Sequence, residues 1–174
     1  MKIAVSGSHR VGKSSLIEKL GEVFPDYICK PEPYYELEET GHFFSEIPDV
    51  DDYIVQLRYS IEQVVSTESN IIFDRCPLDL LAYIQASDEF GEMDIQSLFR
   101  EVTDVMSEID VLVFVAVEEP DIITCAESDL PELRIQVDEI LREWVQDLDC
   151  TLIEVYGSLS NRKDMILKQI KKMN

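Results

Sequence analysis

The chain has 174 residues, 45% of them apolar and 9% aromatic, and 36 Asp and Glu against 15 Lys and Arg give it a formal net charge of −21. A chain this acidic lacks the basic footprint needed to coat nucleic acid or an anionic membrane surface. Its apolar share nonetheless suffices for a buried core, and its length predicts one domain over residues 1–174.

The charge is unevenly spread. Residues 31–160 carry 32 acidic and 5 basic residues, and all five cations there are arginine: Arg58, Arg75, Arg100, Arg134 and Arg142. The cysteines Cys29, Cys76, Cys125 and Cys150 lie far apart with no CxxC and no histidine pair nearby, which argues against zinc or redox chemistry. The first residues hold too few apolar side chains for a secretory signal, and no run approaches the roughly 18 residues that span a bilayer. A reduced, cytoplasmic protein is expected.

In chain order, Ile3–Val5 is a short apolar strand followed by Ser6, Gly7 and a helix with Leu16, Ile17, Leu20, Val23 and Phe24 on one face. Tyr27–Lys30 reads as a strand that stops at Pro31-Glu32-Pro33. Residues 51–69 space Ile54, Leu57, Ile61, Val64 and Val65 as a long amphipathic helix, and Asn70–Asp74 is a buried strand. Helices follow over Leu78–Ala86 and Asp94–Ser107, then a strand over Val111–Val117. A helix over Pro131–Leu148, a strand over Thr151–Val155 and a basic helix over Ser158–Met173 complete the series. Strands alternating with helices imply a three-layer α/β fold, a five-stranded parallel sheet flanked by helices.

Gly7-Ser8-His9-Arg10-Val11-Gly12-Lys13-Ser14 fits the phosphate-loop pattern G-x-x-x-x-G-K-[ST] and sits between the first strand and the first helix. Glycines let successive N–H groups turn inward around phosphate oxygens, aided by the positive end of the helix dipole. The loop from Gly7 through Ser14, with Ser15 behind it, is therefore the expected ATP site; Lys13 reaches the outer phosphates and Ser14 takes a magnesium position. A guanine-reading N-K-x-D is not met, because Asn161-Arg162-Lys163-Asp164 displaces the lysine by one.

Two further segments resemble the small P-loop kinases of nucleosides and nucleotides. Pro31-Glu32-Pro33 is similar to the Glu-Pro of deoxynucleoside kinases, and Asp74-Arg75-Cys76-Pro77-Leu78-Asp79, ending in Ala82-Tyr83, resembles the acidic-Arg motif of deoxynucleoside and thymidylate kinases and of NadR-like, nicotinamide riboside kinase-type ATPase domains. The resemblance implies that Glu32 accepts the proton of the acceptor hydroxyl, that Asp74 holds magnesium, and that Arg75 neutralises the transferring phosphoryl group. It also implies an acceptor pocket in the ring-rich stretch between the second and third strands, with Tyr34 and Tyr53 stacking a heterocycle, Gln56 pairing with it and Arg58 reaching substrate phosphate or the carboxylate. Asp79 reads as a helix cap.

One departure stands out. Small P-loop kinases close a lid after the fourth strand, with arginines over the phosphates. Here residues 118–133 contain Glu118, Glu119, Asp121, Glu127, Asp129 and Glu132 and no cation. Either Arg134, with Arg142 two turns on, serves the lid (residues 118–134) as a catalytic arginine, or the lid is degenerate.

Two readings follow. The first is an ATP- and magnesium-dependent kinase acting on a nucleoside-like hydroxyl, or on a nucleoside monophosphate, with no nucleic-acid or membrane partner. The second is an ATP-binding regulatory module that hydrolyses slowly. The sequence leaves a homodimer open.

Overall fold

The computed structural model describes residues 1–66, 69–121, 123 and 125–173. Among these, five strands alternate with seven α-helices. The first half is β1 (Lys2–Ser6), α1 (Lys13–Val23), β2 (Ile28–Lys30), α2 (Pro33–Glu39), α3 (Val50–Val64), β3 (Ile71–Asp74) and α4 (Pro77–Ser87). The second half is α5 (Ile95–Met106), β4 (Val111–Val115), α6 (Pro131–Trp144), β5 (Thr151–Val155) and α7 (Leu159–Met173).

All strand pairs are parallel, in the order β2-β3-β1-β4-β5. A parallel sheet is covered on both faces, and β3 and β4 accordingly bury every residue. The two-residue side-chain period sorts the core. Ile3, Val5, Val111, Val113 and Val115 pack with Leu16 and Leu20 of α1 and Ile166 of α7. Ala4, Leu112 and Phe114 pack on the other face with α3, α4, α5 and α6. The result is the expected three-layer α/β fold. No helix of the described residues is long and apolar enough to cross a membrane.

Several boundaries shift by a residue, the strand expected over Val111–Val117 ends at Val115, and three further boundaries differ in an instructive way. The proline pair does end β2, but Pro33 also starts α2 as its first residue, with Glu32 at the N-cap; proline suits that position because its N–H would be unpaired there anyway. The helix expected over 51–69 ends at Val64, while Asp49 and Asp52 cap its start reciprocally; Thr67 and Glu68 lie outside the described residues. The helix expected to reach Leu148 ends at Trp144 and continues as a 3₁₀ turn over Val145–Asp147.

From β1 the chain runs outward to β2, returns through β3, and crosses β1 to reach β4. The carboxyl end of β1 is thus where the direction of winding reverses, and such sheets bind ligands there.

Candidate active site

The phosphate loop leaves β1 at that reversal. Gly7 has φ +147°, and a Cβ built on it would lie 2.3 Å from the Val115 carbonyl oxygen, so only glycine lets the loop pass so close to β4. Arg10 and Gly12 both take the left-handed conformation, with φ of 56° and 89°, curling the backbone into the start of α1. Lys13 is the first residue of α1, only 5% exposed, and donates from Nζ to the Ser8 carbonyl at 2.7 Å. Burial lowers its pKa to about 8; Arg75 adds to the shift, and Glu32, Asp74 and Asp79 oppose it.

Beside the loop, β3 pairs with β1 so that Asp74 sits opposite Val5. Ser14 Oγ donates to Asp74 Oδ2 at 2.9 Å, and Asp74 Oδ1 is buried without a partner. Burial, reinforced by Glu32, pushes the Asp74 carboxyl up against the pull of Lys13. A hydroxyl and a carboxylate with an uncommitted oxygen fit a magnesium ion, which typically takes one or two protein oxygens and completes its shell with water and phosphate. That economy matters, because no cluster of three or more His, Cys, Asp or Glu suited to a metal occurs among the described residues.

Arg75 is buried with φ 72°. Its Nε donates to Glu32 Oε1, one terminal nitrogen donates to the Gly7 carbonyl at 3.3 Å, and the guanidinium lies 4.9 Å from the centre of the Tyr83 ring. Burial alone would raise the Glu32 carboxyl, but the charges of Arg75 and Lys13 and the Arg75 hydrogen bond outweigh it, so its pKa lies below the usual range and it is ionised at neutral pH. Asp79, fully buried, does more than cap α4. It accepts from the Cys76 N–H at 2.9 Å, and also from Ser6 Oγ at 3.0 Å and the Gly7 N–H at 2.7 Å, tying α4 to the mouth of the phosphate loop.

Glu32 and Arg75 open onto a cavity of 240 Å³ walled by Tyr34, Tyr53, Gln56 and Tyr83. The Tyr53 and Tyr83 rings stack with centroids 5.0 Å apart. Tyr83 Oη accepts the His9 backbone N–H at 2.8 Å and lies 2.7 Å from His9 Nδ1, to which it donates because the other ring nitrogen faces a carbonyl that can only accept. His9 Nε2 then carries the ring hydrogen and donates to the Asp129 carbonyl. Burial holds this imidazole neutral, with its pKa lowered to about 4. A larger groove of 950 Å³ lies alongside but contains no phosphate-loop residue.

The expected site residues are therefore partly assembled. Lys13, Ser14, Asp74, Arg75 and Glu32 form one connected cluster, and Tyr34, Tyr53 and Gln56 line the adjoining cavity. Ser15 is exposed on the first turn of α1. Arg58 is not brought to the cavity: it faces α5 and pairs with Glu101, because its position on α3 lies two residues from Gln56, toward another face of the helix.

Arg134, at 2% exposure, differs from the phosphate-facing arginine expected. Its Nε and one terminal nitrogen donate to the His9 and Arg10 carbonyls, each at 3.1 Å, and Asp121 takes its remaining donors. It braces the phosphate loop from behind. Arg142 pairs with Asp138 and donates to the Val117 carbonyl, away from the loop. Ile122 and Thr124 of the expected lid lie outside the described residues.

Arg162 was not anticipated by the sequence reading. It is buried and donates to the Val11 carbonyl at 2.7 Å, to the Gly157 carbonyl at 3.0 Å and to Glu118 at 2.7 Å. The near-miss Asn161-Arg162-Lys163-Asp164 was its only trace in the sequence.

A five-stranded parallel sheet with this loop at the carboxyl end of β1 defines a P-loop nucleotide-binding fold. The sequence matches the model of the AAA domain family over residues 2–162, and the chain belongs to that family. Among solved structures, deoxyadenosine kinase from M. mycoides, determined with dCMP and dCDP, aligns with a TM-score of 0.69 at 17% identity over 100% of both chains. Thymidylate kinase from Candida albicans aligns at 0.65 and 16% identity, covering 99% of this chain and 91% of its own. The YorR protein of Bacillus subtilis, in complex with phosphorylated GDP, aligns at 0.62 and 14% identity, over 99% and 97%. The fold is the P-loop kinase fold that these proteins share. A search of curated protein sequences gave no match.

Proposed function

We propose that the chain is a phosphotransferase that moves the γ-phosphoryl group of ATP to the hydroxyl of a nucleoside-like small molecule, as one domain over residues 1–174 with residues 118–134 as its lid. The observation that carries this reading is the Glu32–Arg75 pair, standing between the phosphate loop and an aromatic-walled cavity of 240 Å³. A hydroxyl is a weak nucleophile at neutral pH and gains from a carboxylate that takes its proton.

The pair supplies a way to time that step. While Arg75 holds Glu32, the carboxylate is a poor base. When the guanidinium turns to phosphoryl oxygens, which its fork grips bidentately, burial is left to raise the basicity of Glu32. Lys13 and the loop amides bind the phosphates, and Tyr34, Tyr53 and Gln56 hold the acceptor. Magnesium, held by Ser14 and Asp74, would neutralise charge developing on the transferred group.

The test is ADP release with a panel of nucleosides, nucleoside monophosphates and nicotinamide riboside. Glu32→Gln is expected to lower transfer to the best acceptor by about 10²–10⁴-fold while retaining ATP binding. Full activity in that variant refutes the base assignment, and a larger response to monophosphates makes the protein a nucleotide kinase. A second reading, a slowly hydrolysing regulatory module, is favoured by the commitment of Arg134 to loop carbonyls and Asp121; it requires that no acceptor stimulate ADP release.

A further inference from the structure

Glu127 and Glu132, in the acidic stretch after β4, have no part in the chemistry above, and their placement suggests another use. The 950 Å³ groove is bounded by the start of α3, the turn between α4 and α5, and the segment leading into α6. Its apolar surface comes from Ile47, Phe90, Met93, Leu130 and Leu133. Phe90 is 84% exposed and Ile47 70%, a large cost for side chains with nothing to cover them.

Around this floor every charge has one sign. Asp49 and Asp51 come from the start of α3, Asp88, Glu89 and Glu92 from the α4–α5 turn, and Glu127 and Glu132 from the segment before and into α6; no lysine, arginine or histidine lines the groove. None of these seven carboxylates belongs to an ion pair among the described residues. Elsewhere the chain pairs its acids readily, as in Asp121 with Arg134 and Glu118 with Arg162. An apolar floor and an unneutralised acidic rim on three walls are complementary to a ligand that is apolar along one side and cationic along the other.

We propose that this groove docks a basic amphipathic segment of a partner protein, with an apolar side chain seated between Phe90 and Leu133 and lysines or arginines facing the rim. A second copy of the chain is the poorer occupant. Its basic helix α7 already buries Ile166 and Ile170 against its own core, so it has charge to offer but little free apolar face. The groove shares Pro48, Leu130 and Leu133 with the 240 Å³ cavity, so an occupant would touch the wall of the acceptor site.

The probe is a synthetic amphipathic helical peptide of lysine and leucine with one tryptophan, titrated into the full chain and followed by calorimetry and by NMR shift mapping. The expected result is saturable binding mapped to residues 47–51, 88–93 and 127–136. Glu89→Lys with Glu92→Lys, and separately Phe90→Ser, should each weaken binding at least about tenfold. These residues lie in an exposed turn, and unchanged melting curves will show that the variants fold.

Glu143→Lys with Asp147→Lys is the control, placing the same charge change about three turns further along α6 and just beyond it. Equal loss in that control overturns the proposal, because attraction to a net charge of −21 would then explain the binding. Indifference to Phe90→Ser also overturns it, by removing the apolar anchor. Light scattering that shows a dimer of the free protein, dissociated by Glu89→Lys with Glu92→Lys, overturns it in favour of a second copy.

Discussion

Lys13 offers a sharp test of the site's electrostatics, because its function and its effect on stability should oppose one another. The ammonium is 5% exposed, and its pKa falls from 10.5 to about 8, with burial as the largest cause. In the unfolded chain the same group titrates at the ordinary value, so between about pH 8 and pH 10.5 the unfolded state binds the extra proton and stability rises with pH through that window. Below pH 8 the full cost applies, about 3 kcal/mol at 1.36 kcal/mol per pKa unit. Lys13→Met keeps most of the apolar stem and removes the charge. It also loses the bond to the Ser8 carbonyl, a loss of about 1 kcal/mol. The variant should therefore be more stable than the parent by about 2 kcal/mol at pH 7, an increase in Tm of about 4–8 °C for a chain of this size. Urea unfolding at pH 7 and at pH 9.5 measures it, and the gap between the two proteins should narrow at the higher pH. In parallel, the increase in Tm that ATP confers on the parent should vanish in Lys13→Met. A variant less stable than the parent at pH 7, or a gap that widens with pH, would show that the ammonium is not held against a burial cost.

Two further outcomes follow from the same geometry. Asp79→Ala leaves the Ser6 hydroxyl and the Gly7 and Cys76 N–H groups without their acceptor in a fully buried setting, and should cost about 3–5 kcal/mol in a denaturant titration; a loss below about 1 kcal/mol would mean that the loop does not depend on this anchor. The association rate of a fluorescent ATP analogue, followed by stopped flow, should rise as salt increases from about 10 mM to about 150 mM, because the Debye length shrinks from about 30 Å to about 8 Å and screens the repulsion between a protein of charge −21 and the triphosphate. A rate that falls with salt would mean that the local field of Lys13 and Arg75 dominates at long range.

What could be read from the sequence divides along sequence distance. The phosphate loop is eight consecutive residues whose conformation is local, so motif and backbone geometry coincide at Gly7–Ser14. The strands were legible because burial on both faces writes a continuous apolar run, as in Val111–Val115. Helix α2 was not, since seven residues dominated by acids and tyrosines have little periodicity to detect. Tyr83 could be quoted as part of a motif, but its bond to His9 spans 74 residues, and the bond from His9 to Asp129 spans 120. The arginines failed differently. Their rarity in residues 31–160 drew attention to Arg134, yet half of its hydrogen bonds go to the carbonyls of His9 and Arg10, and every residue has a carbonyl. Arg162 escaped for the same reason, and also because it sits in the basic tail where one cation among five attracts no notice.

The acidic segment after β4 takes on a definite sense once those partners are known. Resemblance to small P-loop kinases implies a lid that carries cations down to the phosphates. Here the contacts run the other way. The cation Arg10 and the neutral donor His9 belong to the phosphate loop and reach up to the side chain and carbonyl of Asp129, while Arg134 approaches the loop from outside with its charge already matched by Asp121. Positive charge is thus concentrated in the loop and its floor, in Arg10, Lys13 and Arg75, where phosphates can use it directly. The exposed Arg10–Asp129 pair is worth little by itself, whereas the buried Arg134 brace is far costlier to break. The segment is thus tied to the loop at two points, through Asp129 to His9 and Arg10 and through Arg134 to the carbonyls of the same two residues.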